Sequence, residues 1–197
     1  MSTTFTLDGA TRLQQEIRKS RFLAQAAPVD DADAALAHVA RVSASDATHN
    51  CWAYRIGANY RFSDDGEPGG SAGRPILAAI EGQGLDRVVV VVTRWFGGIK
   101  LGVGGLVRAY GGCAAECLRL AAKRELVERA RVVIHCDYAA AATLYAKLRD
   151  FDAARHAEAA SADGAELHID LPTSRVAELR TYVRDLTRGR GTVDSPT

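Results

Sequence analysis

Five consecutive valines, Val88 to Val92, constrain this chain more than any other stretch. β-branched residues suit a pleated core, and a run with no polar alternation reads as a strand buried on both faces. Thr93, Arg94, Trp95 and Phe96 carry that strand outward, and Gly97 and Gly98 break it. Lys100 follows in a loop kept nearly bare by Gly102, Gly104 and Gly105. From Val103 the apolar residues Leu106, Val107, Tyr110, Ala114, Cys117 and Leu118 recur at helical spacing.

The unit is therefore strand, glycine loop and helix, with Arg94, Lys100 and Arg108 at the junction. A helix N-terminus presents unpaired N–H groups, and glycine lets an anion approach them closely. Two readings follow: an anion or partner site, or glycines that serve tight turns and close packing. The loop matches neither a Walker loop nor the dinucleotide fingerprint, so no nucleotide cofactor is expected. Gly111 and Gly112 lie inside the helix, each costing about 1 kcal/mol relative to alanine. A second backbone packed hard against the helix would offset them.

The chain has 197 residues, 47% of them hydrophobic, enough for one large or two small domains. Its net charge of +1 gives no overall basic signature. Between Thr93 and Arg124, however, six basic residues face one acidic residue, Glu116. Cys51, Cys113, Cys117 and Cys136 form no C-x-x-C pair and read as buried reduced thiols. No apolar run approaches the length of a membrane span, and no signal peptide opens the chain, so a cytoplasmic protein is expected.

In order, short strands are expected at Phe5–Leu7 and Thr11–Ile17, then an extended segment from Lys19 to Pro28. Lys19 and Arg21 around Ser20 read either as an anion grip or as two solvated edge charges. Asp30–Ser43 is a helix, Cys51–Gly57 and Tyr60–Phe62 a hairpin, and Pro75 opens a helix to Gln83. Between them runs an acidic turn with Asp64, Asp65 and Glu67, followed by small residues and Arg74. Three carboxylates could hold Mg²⁺, but a turn that organises Arg94 or Lys100 is the preferred reading, and no metal is assigned. His49 has no legible nucleophile partner, so no catalytic residue is assigned.

Lys123-Arg124-Glu125 reads as a charged, exposed break and places a domain boundary there, giving domains 1–125 and 130–197. Beyond it, strands at Ala130–Cys136, Ala153–Ser161, Ala165–Leu171 and Gly189–Val193 alternate with helices at Tyr138–Arg149 and Pro172–Leu186. An Asp163-Gly164 turn joins the middle strands. The order β-α-β-β-α-β is the ferredoxin-like split motif.

Three blocks, DATHNCWAYRIG, FSDDGEPGGSAGRPIL and VVVVVTRWFGGIKLGVGGLVRAYGG, resemble the signature of the YigZ/Impact family. The resemblance runs from about Ser20 to Leu120. The matching positions are His49, Asp64, Asp65, Gly66, Glu67, Pro68, Gly73, Arg94, Gly97, Gly98, Leu101, Gly102, Gly104, Gly105 and Tyr110. The chain departs from the family in having Trp95-Phe96 where two tyrosines are frequent, and Gly70 where alanine is common. The resemblance implies an α+β protein. Its N-terminal part would be a ribosomal-protein-like α/β sandwich containing a left-handed β-α-β crossover. The C-terminal part is similar to the last domain of elongation factor G. It further implies regulation of translation, with RNA, the ribosome or a protein partner as the contact, and it brings no catalytic residue.

Two function classes are carried forward. The first is a non-catalytic binding protein using Arg74, Arg94, Gly97, Gly98, Lys100, Gly102, Gly104, Gly105 and Arg108 toward an anion or nucleic acid, with His49, Asp64, Asp65 and Glu67 in support. If Trp95 or Phe96 is exposed it can stack on a base, although Phe96 is expected in the core. The second is a small-molecule enzyme, such as a phosphate-ester hydrolase, at the same glycine loop. No cofactor or membrane contact is expected, and the oligomeric state is left open.

Overall fold

A computed structural model describes residues 4–161 and 164–194. The chain divides into two compact units, Met1–Leu126 and Val127–Thr197.

The first unit holds β1 (Phe5–Leu7), β2 (Thr11–Ile17), β3 (Ser20–Pro28), α1 (Ala32–Val42), β4 (His49–Ile56), β5 (Asn59–Ser63), α2 (Gly73–Gly82), β6 (Val88–Trp95), α3 (Val103–Leu120) and β7 (Lys123–Glu125). Five strands form one antiparallel sheet in the order β2-β3-β6-β4-β5. The valine run is the central strand, and all five valines are fully buried. Val88, Val90 and Val92 face the main core with Phe22, Ala53, Ile76, Ile80, Tyr110 and Leu118. Val89 faces the other way, against Ala35 of α1 and Tyr54. The sheet is thus covered by α2 and α3 on one side and by α1 on the other.

That arrangement fixes a handedness. β3 and β4 are each antiparallel to β6, which lies between them, so they run parallel and are joined through α1. β5 and β6 are likewise parallel with β4 between them, joined through α2. Viewed with its own strands pointing up, each crossover steps across the sheet in the same sense. Because α1 and α2 cover opposite faces, the two crossovers have opposite hands. One of them is therefore left-handed, against the usual preference. The α/β sandwich with a left-handed crossover is present.

Gly111 accounts for one of the two helical glycines: a Cβ there would lie 3.3 Å from Pro75 Cβ, so α2 packs directly on α3 at this point. Gly112 faces open space, and nothing in the structure explains it. The Lys123-Arg124-Glu125 stretch is exposed but is not a break: it pairs antiparallel with Phe5–Leu7 as a two-stranded ribbon. All three residues of this strand are exposed, while its partner Phe5–Leu7 buries Leu7 in the main core, so Lys123–Glu125 needs no apolar alternation and its sequence carries no strand signal.

The second unit holds β8 (Arg129–Cys136), α4 (Tyr138–Lys147), β9 (Ala154–Ser161), β10 (Gly164–Pro172), α5 (Val176–Leu186) and β11 (Thr192–Asp194). Its sheet runs β11-β8-β10-β9, all antiparallel, the ferredoxin-like order. Pro172 does not open a helix. It ends β10 opposite Arg129, and a 3₁₀ turn, Thr173–Arg175, precedes α5. Asp163 of the expected turn lies outside the described residues.

Candidate functional site

The end of β6 meets the acidic turn and the glycine loop at one cleft of about 400 Å³. Thr48 and His49 come from the start of β4, Glu67 and Pro68 from the turn after β5, and Arg94 and Phe96 from the end of β6. Lys100 to Val103 and Leu106 come from the loop and the first turn of α3. All three sequence blocks therefore contribute to one place.

The floor is a buried polar cluster. Arg94 Nη1 donates to Glu67 Oε1 at 2.6 Å, and both side chains are almost wholly buried. Tyr110 reaches back from the middle of α3 and donates its hydroxyl to the same oxygen at 2.7 Å. Burial pushes the Tyr110 phenol and the nearby Cys51 thiol up, the latter to about 12, so neither ionises near neutrality. Arg94 was expected as an exposed anion contact. Instead it is 5% exposed, held by Glu67, packed against Phe22 and Phe96, and its Nε is buried without a partner.

The three carboxylates of the acidic turn have three different tasks. Asp64 accepts backbone N–H bonds from Gly70, Ala72 and Gly73 at 2.8–2.9 Å and so shapes the turn that leads into α2. Burial alone would raise its carboxyl, but those N–H groups outweigh it and hold Asp64 below the usual carboxylate range. Asp65 accepts the Asn50 N–H at 2.6 Å, and its carbonyl takes the proton of His49 Nδ1 at 2.7 Å. Only Glu67 turns into the cleft. Among the described residues, no cluster of three or more His, Cys, Asp or Glu is arranged to hold a metal.

Ser20 is a member that the sequence did not single out for this role. It is fully buried, and its hydroxyl accepts from Gly97 N at 3.2 Å and lies 3.4 Å from Arg94 Nη2. Lys19 and Arg21 do not grip an anion together with it: Lys19 is exposed in the β2–β3 turn, while Arg21 stacks on Trp95 at 3.7 Å. Arg18 and Lys19 form the two-residue hairpin loop, and both have positive φ, where glycine or asparagine is preferred. Gly97 sits against the Lys19 carbonyl, and any Cβ there would collide with it. Gly97 is thus a packing glycine.

Gly98 and Gly102 both have positive φ, and Gly102 caps α3. The helix start has no side-chain cap and no acid in its first turn, an arrangement favourable to negative charge. Lys100 and Arg108 are exposed, as are Gly98 and Gly104, while Gly105 is half-buried. Arg108 lines a second groove with Arg18 and Gly105. Arg74 is exposed on α2 and lines neither the cleft nor this groove. The two aromatic residues part company: Trp95 is half-buried, with Nε1 bonded to Asp46 at 3.1 Å, whereas Phe96, expected in the core, is 46% exposed. The strand ends at Trp95, so the next side chain leaves the sheet.

The residues that build this cleft are those of a known family. The Impact N-terminal domain matches residues 18–118. An IMPACT family member of Thermus thermophilus is 50% identical over 178 residues, 88% of this chain and 97% of that protein. The IMPACT family member YigZ of Escherichia coli is 37% identical and covers 89% of each chain. Protein IMPACT of Rattus norvegicus is 39% identical over 93 residues, 43% of this chain and 29% of that one. A solved structure described as a hypothetical protein superposes with a TM-score of 0.78 at 34% identity, covering 100% of this chain and 98% of that one. No helix among the described residues is long and apolar enough to cross a membrane. The chain belongs to the IMPACT family.

Proposed function

We propose that this chain is a non-catalytic binding protein tied to the regulation of translation. Its first domain, residues 1–125, would engage RNA, free or in the ribosome, at the glycine-loop end of the sheet. One observation carries the reading. Arg18, Lys19, Lys100 and Arg108 are exposed around the loop Gly97–Gly105, and none of them makes an ion pair among the described residues. Free cations beside an uncapped helix start suit phosphates, and most of the affinity would be electrostatic. Arg94 is excluded from direct contact by its burial, and its part is to hold the floor.

The test is RNA binding as a function of salt. Lys100→Ala with Arg108→Ala is expected to weaken binding at every sequence and to flatten the log–log salt slope by about 0.7 per lost phosphate contact on a single strand. Folding should be unchanged, because both side chains are exposed. Absence of salt-sensitive binding by the wild type near physiological ionic strength sinks this reading and turns attention to a protein partner or a small anion.

A small-molecule hydrolase is the second reading, and one observation favours it. His49 lines the cleft with Nδ1 tied to the Asp65 carbonyl, which in the neutral ring leaves the lone pair on Nε2, as a general base requires. Turnover of phosphoesters in the presence of Mg²⁺, abolished by His49→Ala, would establish it.

A further inference from the structure

We infer that the cleft receives one unstacked guanine from a single-stranded segment, an assignment that rests on the RNA reading above. Its size, about 400 Å³, lies within the range of about 300–1,000 Å³ typical of small-ligand pockets. Its walls are apolar: Phe96, Pro68, Leu101, Val103 and Leu106. Exposed aromatic rings are the surfaces on which RNA-binding proteins stack splayed-out bases, and Phe96 is open on this rim.

The floor supplies the selectivity. Glu67 Oε1 is occupied by Arg94 and Tyr110, but Oε2 accepts no hydrogen bond from any described residue. His49 Nε2 lies 3.8 Å from Glu67 Oε1, and in the neutral ring it carries a lone pair because Nδ1 donates to Asp65. Two acceptors, Glu67 Oε2 and, in the neutral ring, His49 Nε2, thus belong to adjacent residues that line the cleft. The Glu67 charge is already offset by Arg94, so the floor calls for a neutral donor rather than a cation. Among the four RNA bases, guanine alone sets two donors side by side on its Watson–Crick edge, N1–H and the N2 amino group. Adenine, cytosine and uracil each place an acceptor beside their donor. Lys100 at the mouth and the uncapped start of α3 then meet the flanking phosphate, which keeps charge at the rim and donors at the floor.

The experiment compares labelled oligouridine with the same oligomer carrying one central guanine, by fluorescence anisotropy at a single salt concentration. The guanine oligomer is expected to bind about tenfold more tightly, the scale of one good two-point base contact. Inosine, which lacks the N2 amino group, should lose most of that gain. Phe96→Ala, an exposed change, should weaken binding of both oligomers through lost stacking, whereas His49→Ala, which removes one of the two floor acceptors, should bring them to equal affinity. Binding without any guanine preference overturns this inference and leaves the RNA reading standing. A preference that survives His49→Ala also overturns it, since guanine would then be read elsewhere. Binding to neither oligomer defeats the RNA reading and the inference with it.

Discussion

Each unit of this protein holds an arginine by carboxylate groups, Arg94 by one and Arg129 by two, and the two arginines live in different solvents. In the first unit Arg94 and Glu67 are buried together, their side chains 6% and 4% exposed. In the second, Arg129 bonds Asp170 at 2.5 Å and Asp152 at 3.0 Å, but its side chain is 34% exposed and that of Asp152 is 73% exposed. The hydrogen-bond chemistry is similar and the consequences are opposite. A buried pair has already given up its hydration, so each partner depends on the other. An exposed pair can exchange its partner for water at little cost. The first unit uses its arginine to fix the floor of a cleft, and the second uses its own to tie strands β8 and β10 at their surface.

Breaking the buried pair gives the largest effect. Glu67→Ala leaves the Arg94 guanidinium uncompensated beside Phe22 and strips Tyr110 of its acceptor. We expect a loss of about 3–5 kcal/mol in urea unfolding of the first unit. Replacing both partners by apolar residues, Glu67→Leu with Arg94→Met, should recover most of that stability while the cleft loses its acceptor floor. A loss under about 1 kcal/mol for Glu67→Ala would place the pair with surface ion pairs and erase the contrast.

The contrast also marks what the sequence could show. The valine strand was legible because its signal is contiguous: β-branched residues in a row admit only a doubly buried strand. The glycine loop and the helix after it were legible for the same reason. The site was not. Glu67, Arg94 and Tyr110 lie far apart in the chain, and no spacing rule says which of three neighbouring carboxylates turns inward. Asp64 and Asp65 are spent on backbone N–H groups, and only the fold distinguishes them from Glu67. Ser20 and Gly97 owe their roles to the approach of the β2–β3 turn to the loop, a long-range contact. Phe96 was misplaced because hydrophobicity does not reveal that the strand has ended one residue earlier. In the second unit the strand and helix pattern sufficed for the topology, and its surface ion pairs would have changed nothing in that reading.

A second experiment sharpens the comparison through pH. Asp64 and Asp170 both have depressed carboxyls. For Asp64, burial acts upward and is outweighed by the N–H groups of Gly70, Gly73 and Ala72. For Asp170, burial again acts upward and is outweighed by Arg129 and His156. A carboxyl depressed by folding contributes stability that is fully present above its unfolded value, about 3.9, and is lost as pH falls through the folded value. Both units should therefore weaken below about pH 4. Salt separates them. Asp64 is held by backbone dipoles and should keep its contribution at high ionic strength, whereas the partly exposed Asp170 network should lose much of its own. Asp64→Ala, with three charge-assisted bonds removed, should cost the first unit about 2 kcal/mol at neutral pH, read by urea unfolding. Acid unfolding that is equally salt-sensitive in both units would contradict this division.

The smallest effect belongs to Arg129. Its guanidinium makes four bonds: to the carboxylates of Asp170 and Asp152, and through Nη2 to the carbonyls of Asp152 at 2.7 Å and Asp170 at 3.1 Å. Counted as contacts, these exceed the one strong ion pair of Arg94. Counted as free energy they should not, because every group involved can reach water when the arginine is removed. Neither Asp152 nor Asp170 would be left as a buried unpaired charge, since His156 also faces Asp170 at 3.4 Å. Arg129→Ala should therefore destabilise the second unit by no more than about 1 kcal/mol, and raising the salt concentration should shrink even that. The measurement is urea unfolding of the full chain, followed by the near-ultraviolet signals of Tyr138, Tyr145 and Tyr182 in the second unit, with the tryptophans of the first as an internal reference. A loss approaching that of Glu67→Ala would mean that the number of bonds, rather than burial, sets the worth of an arginine in this protein.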